Sequence, residues 1–309
     1  MGRDLYVGVD IGGTKILAAL VDSNGRISAR SKRPAPMGGG RKKVYKTVTA
    51  AIREVLGARR VKAIGVGVPG IVDSRGRVVR APNIELSGVP LGRWLGREFG
   101  TRVAVGNDAN LGLLGERWLG AGKGAGDLIG IFLGTGVGGG IVAGGRLVCG
   151  AHGAAAEFGH MLLAEDGRTC GCGNIGCLEA VASRSAIEAD IRRSVKKGRK
   201  TLLRGLERIR SKALLKALRK KDPVARKAVR KAVSALARAC VTLRHVFDPE
   251  RIVFGGGLVE ACGDYILPPI RKAVAKDPFF RPLGPCKIVP CELGDDAVVL
   301  GAVALARGK

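Results

Sequence analysis

Short runs of apolar and β-branched residues open the chain and predict a series of strands. Residues 5–10, 16–21 and 27–33 have this character, and glycine- or aspartate-rich turns separate them. Residues 44–56 repeat apolar positions at helical spacing, and residues 61–69 form an alternating apolar strand that ends in Pro-Gly. The pattern therefore predicts a three-stranded meander followed by a helix and a further strand.

The middle and the end of the chain alternate strand-like and helical patterns. The further predicted elements are a strand at 103–106, a helix at 109–119, strands at 127–133, 141–143 and 146–149, helices within 178–245 with an interruption at Pro223, a strand at 251–254 and a helix at 297–307. A strand, a glycine-rich turn and a second strand occur twice, near residues 5–21 and 128–143. This alternation predicts an α/β chain with a weak internal duplication.

Length and composition indicate two domains with an aliphatic core. The 309 residues are too many for one ordinary small core, and 46% of them are hydrophobic while only 4% are aromatic. No apolar run is long enough to span a membrane or to resemble a signal peptide. Eight cysteines in a chain of this length do not indicate the disulfide scaffold of a short secreted protein. We therefore expect a soluble, cytoplasmic protein with reduced thiols and no membrane partner.

The chain is strongly basic, with a net charge of +27 from 53 Lys and Arg against 26 Asp and Glu. Residues 183–250 alone hold 21 of the basic residues and 6 of the acidic ones. Such a charge can attract nucleic acid or another polyanion. Because no nucleic-acid-binding fingerprint accompanies it, the favoured interpretation is a solvated helical face, and we expect no nucleic-acid partner.

The segment from Asp10 to Lys15 has the composition of a phosphate-binding turn. Gly12 and Gly13 let backbone N–H groups approach a phosphate, while Thr14 adds a hydroxyl donor and Lys15 a positive charge. Asp10, at the strand end, could supply a hard oxygen ligand for Mg²⁺. Taken alone, an ordinary β-turn explains the same residues equally well.

Two further glycine-rich runs follow predicted strands. The first contains Gly134, Thr135, Gly136 and Gly138 and also matches the Gly-x-Gly-x-x-Gly pattern of dinucleotide-binding folds. That pattern requires a helix directly after the glycines, whereas residues 141–143 predict a strand, so a dinucleotide site is disfavoured. The second run consists of Gly255, Gly256 and Gly257, where a purine and its ribose could lie close to the backbone.

Asn107 and Asp108 lie where a predicted strand passes into a predicted helix. A carboxylate at such a position can accept a proton from a hydroxyl nucleophile. A lone aspartate there can also cap the helix. The residues alone leave both roles open for Asp108.

One histidine and three cysteines lie within eighteen residues, at His160, Cys170, Cys172 and Cys177. This Cys₃His set is typical of a closed, structural zinc site, and the glycines between the ligands permit a tight wrap. Buried free thiols are the alternative. A zinc site here would fix the loop that carries Glu157 and Glu179, whose carboxylates can accept hydrogen bonds from the hydroxyl groups of a sugar.

In this order the segments resemble the repressor–open reading frame–kinase (ROK) family of the sugar kinase and actin superfamily. The most specific part is Cys-x-Cys-Gly-x-x-Gly-Cys-Leu-Glu at 170–179, preceded by Glu-x-Gly-His at 157–160. Residues 66–73 and 81–83 are also similar to that family. The resemblance extends over almost the whole chain, from residue 7 to the closing helix.

The resemblance implies a two-lobed actin-like (ribonuclease H-like) α/β fold, in which each lobe has a mixed central sheet flanked by helices. We expect a small lobe at 1–108 with 296–309, and a large lobe at 109–295 that carries the zinc loop. Family members often form dimers, so the resemblance also implies a homodimer or a higher homo-oligomer.

The resemblance further implies an ATP-dependent hexose kinase in which Asp108 deprotonates the sugar 6-hydroxyl. The residues implied to hold the sugar are Asn83, Asn107, Asp108, Glu157, His160 and Glu179. Those implied to bind ATP with Mg²⁺ are Asp10, Gly12, Gly13, Thr14, Lys15, Gly134, Thr135, Gly136, Gly138, Gly255, Gly256 and Gly257. His160 is implied to bind zinc through one ring nitrogen and to contact the sugar with the other, and Cys170, Cys172 and Cys177 to complete the zinc site.

Glucose is the expected substrate, and three alternatives remain open. These are a kinase for N-acetylglucosamine or N-acetylmannosamine, a polyphosphate-dependent glucokinase, and a non-enzymatic, sugar-responsive nucleic-acid binder. The first predicted hairpin begins at residue 5, which disfavours the DNA-binding helix-turn-helix that precedes the kinase-like core in repressors of the family.

Overall fold

The computed structural model describes residues 4–36, 38–163 and 167–308. Contacts between residues divide the chain into two units. Unit 1 comprises Met1–Gly126, Gly140–Ala156 and Glu292–Lys309, and unit 2 comprises Asp127–Gly139 and Glu157–Cys291. The last residues of the chain thus belong to the same unit as the first.

Strands and helices alternate along the chain. Up to residue 119 they are β1 Leu5–Ile11, β2 Lys15–Asp22, β3 Ile27–Pro34, α1 Gly40–Leu56, β4 Ala63–Val68, β5 Ile71–Val72, β6 Val78–Arg80, α2 Leu91–Phe99, β7 Arg102–Asn107 and α3 Asp108–Leu119. They continue with β8 Leu128–Leu133, β9 Val137–Ala143, β10 Arg146–Leu147, α4 Glu179–Ala182, α5 Arg184–Lys196, α6 Ser211–Arg219, α7 Pro223–Phe247, β11 Arg251–Gly255, α8 Gly257–Ala275, β12 Lys287–Pro290 and α9 Ala297–Ala306.

A mixed sheet of order β3-β2-β1-β4-β7 forms the centre of unit 1. β1 pairs antiparallel with β2 and parallel with β4, and β4 pairs parallel with β7. Side chains of β2 alternate between the two faces, so that Ile16 joins the apolar cluster with α1 and Leu17 joins the cluster with α9. Because helices cover both faces, β4 is buried at every position.

α9 lies against this sheet at backbone-to-backbone distance. A Cβ added to Gly65 of β4 would lie only 1.8 Å from the carbonyl oxygen of Ala302. A Cβ added to Gly301 would lie 1.7 Å from the carbonyl oxygen of Leu111 in α3. The helix is apolar and almost wholly buried between the sheet and α3. Within the described residues, no helix combines the length and the apolar character needed to cross a membrane.

The second sheet has the order β10-β9-β8-β11-β12. β11 pairs parallel with both β8 and β12, and β9 pairs antiparallel with β10. In unit 2, α7 extends over 25 residues and packs against α5, α6 and α8. Its N-terminus is capped by Asp222, which accepts a hydrogen bond from Ala225 N at 2.9 Å, and Pro223 occupies the first position, where a missing N–H breaks no hydrogen bond. The predicted α/β class, with a mixed sheet flanked by helices, is confirmed.

Five elements occur that the sequence pattern does not predict, namely α2, the two strands of the β5–β6 hairpin, α8 and β12. Local propensity opposes α8, because it contains Gly263 and the pair Pro268 and Pro269. The helix is also kinked at Cys262, whose backbone is not helical. The helix forms because packing buries its apolar side, which includes Ile266 and Ile270.

The stretch 197–210 shows the opposite difference, since it lies within the predicted helical region but contains no helix. Gly198 and Gly205 have φ values of 74° and 81°, the left-handed conformation that ends a helix and that glycine adopts without steric cost. The predicted helical region is thus divided between α5 and α6 as well as at Pro223.

Gly301→Ala should lower the free energy of unfolding by about 1–3 kcal/mol, because the added methyl group would overlap the backbone of α3. Gly263→Ala is a matched control, since its Cβ would lie 3.8 Å from the nearest atom and alanine is favoured over glycine in a helix. Calorimetry or urea denaturation measures both variants. If the two variants had the same free energy of unfolding, the close contact of α3 with α9 would not require a glycine at position 301.

Candidate functional site

The residues singled out from the sequence fall into two sets, one in each unit. Unit 1 contains Asp10, Gly12, Gly13, Thr14, Lys15, Asn83, Asn107 and Asp108. Unit 2 contains Gly134, Thr135, Gly136, Gly138, Glu157, His160, Cys170, Cys172, Cys177, Glu179, Gly255, Gly256 and Gly257.

The turn between β1 and β2 is closed by its own backbone. Gly12 N donates a hydrogen bond to the carbonyl oxygen of Lys15 at 2.8 Å, and Thr14, one of the two residues between them, is exposed. A Cβ on Gly13 would lie 3.5 Å from the carbonyl oxygen of Asn83, so the structure brings the exposed Asn83 to the border of the same turn. The turn therefore leaves polar groups accessible beside its glycines.

Lys15, which the sequence suggested as a phosphate ligand, is ion-paired within unit 1. Its Nζ lies 2.6 Å from Oδ1 of Asp295, and Lys32 Nζ lies 3.8 Å from Oδ2 of the same carboxylate. The Lys15 ammonium holds the pKa of Asp295 below its ordinary value. A phosphate bound at this turn would compete with Asp295 for Lys15. No local spacing in the sequence indicates this pair, because 280 residues separate Lys15 from Asp295.

A buried carboxylate anchors the segment that carries Asp295. Glu116 of α3 is 0% exposed and accepts hydrogen bonds from the backbone N–H groups of Ala121, Glu292 and Leu293 at 2.8 to 3.1 Å. These donors offset the cost of burying its charge. Because two of them lie just before Asp295, Glu116 fixes the path of the chain toward Lys15. The sequence offered no signal for this role.

Asp10 and Asp108 lie at the same edge of the first sheet. Asp10 is near the carboxyl end of β1 and Asp108 directly follows β7, and both strands run parallel to β4 between them. The pKa of Asp10 is raised to about 7, first by burial and then by the charge of Asp108, while Lys15 opposes this shift. Burial also raises the pKa of Asp108, although Ala109 N donates to its Oδ1 at 2.8 Å. The two carboxyl groups are therefore electrostatically coupled, and each is a stronger base than an exposed aspartate.

The cap of α3 is Asn107, so the alternative role of Asp108 as the cap does not apply. Asn107 Oδ1 accepts a hydrogen bond from Asn110 N at 3.0 Å, and its Nδ2 donates to the carbonyl oxygen of Gly70 at 2.9 Å. Both polar atoms of Asn107 thus already have protein partners, and each retains capacity for one more hydrogen bond. The carboxylate of Asp108 is left outside the cap.

In unit 2, two side chains hold the glycine-rich turn between β8 and β9. Glu179 Oε2 accepts a hydrogen bond from Val137 N at 2.9 Å. Arg184 N donates to the carbonyl oxygen of Gly134 at 3.0 Å, and Arg184 Nη2 donates to Thr135 Oγ1 at 3.0 Å. Arg184 carries no motif that would indicate this role from the sequence. A strand, β9, follows the turn directly and contains Gly138, which confirms that the context of a dinucleotide-binding helix is absent here.

The glycines in unit 2 serve two different needs. A Cβ on Gly134 or Gly257 would have no neighbour within 4 Å, so the backbone there is open to a ligand. On Gly136, Gly255 and Gly256 a Cβ would lie 2.3, 2.6 and 2.5 Å from other protein atoms. At Gly256 the neighbour is the backbone of Leu133, so packing itself requires this glycine, whereas at Gly136 and Gly255 the nearest atoms belong to the side chains of Glu179 and Cys291.

The four predicted metal ligands converge. The ligand atoms of His160, Cys170, Cys172 and Cys177 all lie within 4.8 Å of one another. Cys172 Sγ lies 3.7 Å from Cys177 Sγ, and Cys170 Sγ lies 3.7 Å from His160 Nδ1. A tetrahedral zinc ion with Zn–S bonds of about 2.3 Å separates its sulfur ligands by about 3.8 Å. Donor types and spacing thus fit zinc.

The loop that contains His160 packs closely on β9. Phe158–His160 forms a short 3-10 helix, and a Cβ on Gly159 would lie 2.3 Å from the carbonyl oxygen of Val137. Glu157 precedes this helix and is exposed, while Ala156 before it has a φ of 66°, which is uncommon for a residue other than glycine. Glu157 thus lies between a residue in the left-handed conformation, Ala156, and the 3-10 helix.

Glu179 connects the cysteine cluster to the glycine-rich turn. Its Oε1 lies 3.8 Å from Cys170 Sγ, while its Oε2 holds Val137 N. The structure therefore brings together the predicted ligand-binding carboxylate, the predicted metal ligands and the predicted phosphate turn of unit 2. Both oxygens of Glu179 have protein contacts, which the sequence did not anticipate.

The strand order of the first sheet and the phosphate-type turn between β1 and β2 place this chain in the actin-like (ribonuclease H-like) class of α/β proteins. A sequence profile of the ROK family matches residues 6–309. The chain belongs to the ROK family.

Relatives include both enzymes and regulators. The glucokinase of Thermotoga maritima is 36% identical, over 98% of this chain and 97% of that protein. A ROK family glucokinase from Streptomyces griseus, solved in complex with glucose and AMPPNP, is 37% identical with a TM-score of 0.83, over 99% of this chain and 100% of that one. The xylose repressor of Caldicellulosiruptor bescii is 31% identical, over 79% of this chain and 62% of the repressor.

The raised pKa of Asp10 predicts a pH dependence of stability. A carboxyl group with a pKa of about 7 when folded, against an ordinary 3.8, binds its proton more tightly in the folded state. It therefore costs stability progressively as the pH rises from about 4 to about 7. Asp10→Asn should remove this loss of unfolding free energy. The loss is at most about 4 kcal/mol, since each pKa unit corresponds to about 1.4 kcal/mol.

Urea denaturation of the metal-free protein at pH 4.5 and 7.5 measures this effect, with the exposed Asp4→Asn as the control. The advantage of Asp10→Asn over the wild type should grow with pH, while Asp4→Asn should follow the wild type. An advantage that is the same at both pH values contradicts the assignment.

Proposed function

We propose that this protein transfers the γ-phosphoryl group of ATP to the 6-hydroxyl of glucose. The observation that carries the proposal is its full-length similarity to the Streptomyces griseus glucokinase, whose structure contains glucose and AMPPNP. The similarity to the Thermotoga maritima glucokinase supports the same activity. N-acetylhexosamines and polyphosphate remain the alternative acceptor and donor to be assayed.

Asp108 is proposed as the general base. Its pKa is raised by burial, which brings its proton affinity closer to that needed at neutral pH, and it is not used to cap α3. Phosphoryl transfer depends mainly on positioning and on stabilisation of charge, so the base has only to accept the hydroxyl proton in a fixed geometry. The hydrogen bonds of Asn107 to Asn110 N and to the carbonyl oxygen of Gly70 hold the junction of β7 with α3 and support that requirement.

Sugar recognition is assigned to Asn83, Asn107, Glu157, His160 and Glu179. Asn83 and Glu157 are exposed, and Asn107 retains a free donor and a free acceptor position, so each can exchange hydrogen bonds with hydroxyl groups. Because Nδ1 of His160 faces Cys170, its Nε2 is the nitrogen proposed to contact the sugar.

The nucleotide phosphates are assigned to the two glycine-rich turns. The residues proposed are Gly12, Gly13, Thr14 and Lys15 in unit 1 and Gly134, Thr135, Gly136 and Gly138 in unit 2, with Gly255, Gly256 and Gly257 at the adenosine. Asp10 offers carboxylate oxygens, the ligand type Mg²⁺ prefers, beside the charge of Asp108. When bound, Mg²⁺ would supply positive charge to the transferring phosphoryl group.

We further propose that His160, Cys170, Cys172 and Cys177 hold one structural zinc ion. The set is complete with four protein ligands, so the ion would have no open position for catalysis. It would instead keep Glu179 and the loop of Glu157 in place. A homodimer or a higher homo-oligomer is proposed from the family resemblance.

Asp108→Ala should lower kcat for glucose by about 10²- to 10⁴-fold with little change in the KM for glucose, because the base acts on the chemical step. A coupled assay of ADP release measures kcat and KM with ATP as the donor. A separate assay of glucose 6-phosphate formation tests polyphosphate as the donor. Asp264→Ala, an exposed carboxylate on α8, is the control. Near wild-type turnover of Asp108→Ala would rule out the assignment.

Metal analysis of the purified protein should find about one zinc per chain. Cys172→Ser should lose the metal and lower the unfolding temperature, because the loop loses a ligand that the ion requires. Cys149→Ser, an exposed cysteine outside the cluster, should retain both. A wild-type protein that stays metal-free after refolding with excess zinc contradicts the proposal.

A further inference from the structure

A dense cluster of positive charge lies on unit 2, in a stretch of the chain that contains none of the site residues proposed above. Residues 196–238 contain seventeen Lys and Arg, and all of them are exposed. The same stretch holds only two carboxylates, Glu207 and Asp222. Asp222 is buried, where it caps α7 and accepts hydrogen bonds from Thr201 Oγ1 and Leu202 N. It therefore does little to neutralise the surface.

The exposed charges of α7 follow one side of the helix. Arg226, Arg230 and Arg238 lie at positions i, i+4 and i+12, and Lys227 lies beside them. Ser234 occupies the remaining i+8 position. The opposite side, which includes Val229 and Leu236, is buried against neighbouring helices. The helix thus presents a purely cationic stripe to solvent.

α6 has the same arrangement, with Lys212, Lys216 and Arg219 exposed, and it packs against α7. We call the seven side chains the α6–α7 cationic face, which consists of Lys212, Lys216, Arg219, Arg226, Lys227, Arg230 and Arg238. Neither helix contains a carboxylate. Across residues 4–36, 38–163 and 167–308, no carboxylate forms an ion pair with any of the seven.

The acidic side chains nearby are already engaged. Asp190 faces Lys231, but it is bonded to Arg168 and Arg193. Glu188 is paired with Arg184 and Arg192. Like charges at i, i+4 spacing repel one another and weaken a helix, and surface helices normally interleave both signs. A polyanion bound to the face would relieve this repulsion.

Contrary to the solvated face that the sequence alone favours, we propose that the α6–α7 cationic face binds the phosphate backbone of a duplex nucleic acid without reading its bases. From residue 226 to residue 238 the stripe extends about 18 Å at 1.5 Å per residue. Over that length a duplex presents about ten phosphates, so its negative charge is of the same order as the positive charge of the seven side chains of the face. The face is also broad, since two helices contribute to it, which suits a thick rod.

The composition of the region disfavours other polyanions. Residues 196–238 contain no Phe, Trp or Tyr, so they lack the stacking platform that single-stranded nucleic acids use. Along the cationic stripe the apolar side of α7 is buried in unit 2, so this part of the helix has no free apolar face to insert into a lipid surface. Backbone contact to a duplex requires neither feature.

The test compares two variants with equal loss of charge. The face variant is Arg226→Gln, Lys227→Gln, Arg230→Gln and Arg238→Gln together. The control variant is Lys42→Gln, Lys46→Gln, Arg93→Gln and Arg97→Gln, four exposed cations of α1 and α2. Fluorescence anisotropy measures the Kd for a labelled 24-base-pair DNA duplex of mixed sequence, and for the RNA duplex of the same length, between about 0.05 and 0.2 M KCl.

The wild-type protein should bind both duplexes, with a log Kd that rises linearly with log salt concentration. The face variant should bind at least about 10-fold more weakly at 0.15 M KCl, with a slope smaller by about three to four, whereas the control variant should change both by much less. Both variants should keep the wild-type unfolding temperature and glucose phosphorylation, so the outcome is independent of the proposed reaction.

Equal weakening in the two variants would overturn the proposal, because binding would then follow net charge alone. Absence of wild-type binding at 0.15 M KCl would overturn it in favour of a solvated surface. Binding of linear polyphosphate or phosphatidylserine vesicles at concentrations where neither duplex binds would overturn it in favour of that partner.

Discussion

The contact of α9 with the first sheet and with α3 is the constraint on which unit 1 depends. This helix comes from the last residues of the chain, yet it fills the centre of the unit formed by the first residues. Glycines at Gly8, Gly65 and Gly301 allow the backbones to approach more closely than any side chain would permit. Because α9 is pinned there, the residues directly before it are also placed, and these include Asp295, the partner of Lys15.

Buried or half-buried carboxylates perform the positioning in both units. Glu116 gathers backbone donors where the chain returns to unit 1, and Glu179 joins the cysteine cluster to the glycine-rich turn in unit 2. Each offers several acceptor positions to N–H groups that would otherwise lack partners. The glycine-rich segments are thus held by side chains from neighbouring helices.

The acidic and basic groups of the protein differ in burial. Burial raises the pKa of both Asp10 and Asp108, and the charge of Asp108 also raises the pKa of Asp10. The basic excess lies on α6, α7 and the residues before them. The two carboxyl groups are buried, whereas the basic side chains of the α6–α7 cationic face are exposed to solvent.

The sequence alone determined the elements with strong local patterns, such as β1, β2, α1 and α3, the strand after the second glycine-rich turn, and the convergence of His160 with three cysteines. These follow from periodicity, turn residues and short ligand spacing, which depend on neighbours in the chain. Only the tertiary structure decided α8, which forms against its own proline and glycine content, the pairing of Lys15 with Asp295, the role of Glu116, and the choice of Asn107 as the cap of α3. Each of these depends on atoms brought together from distant parts of the chain or on which of two adjacent side chains turns toward the helix, and no local pattern encodes that choice.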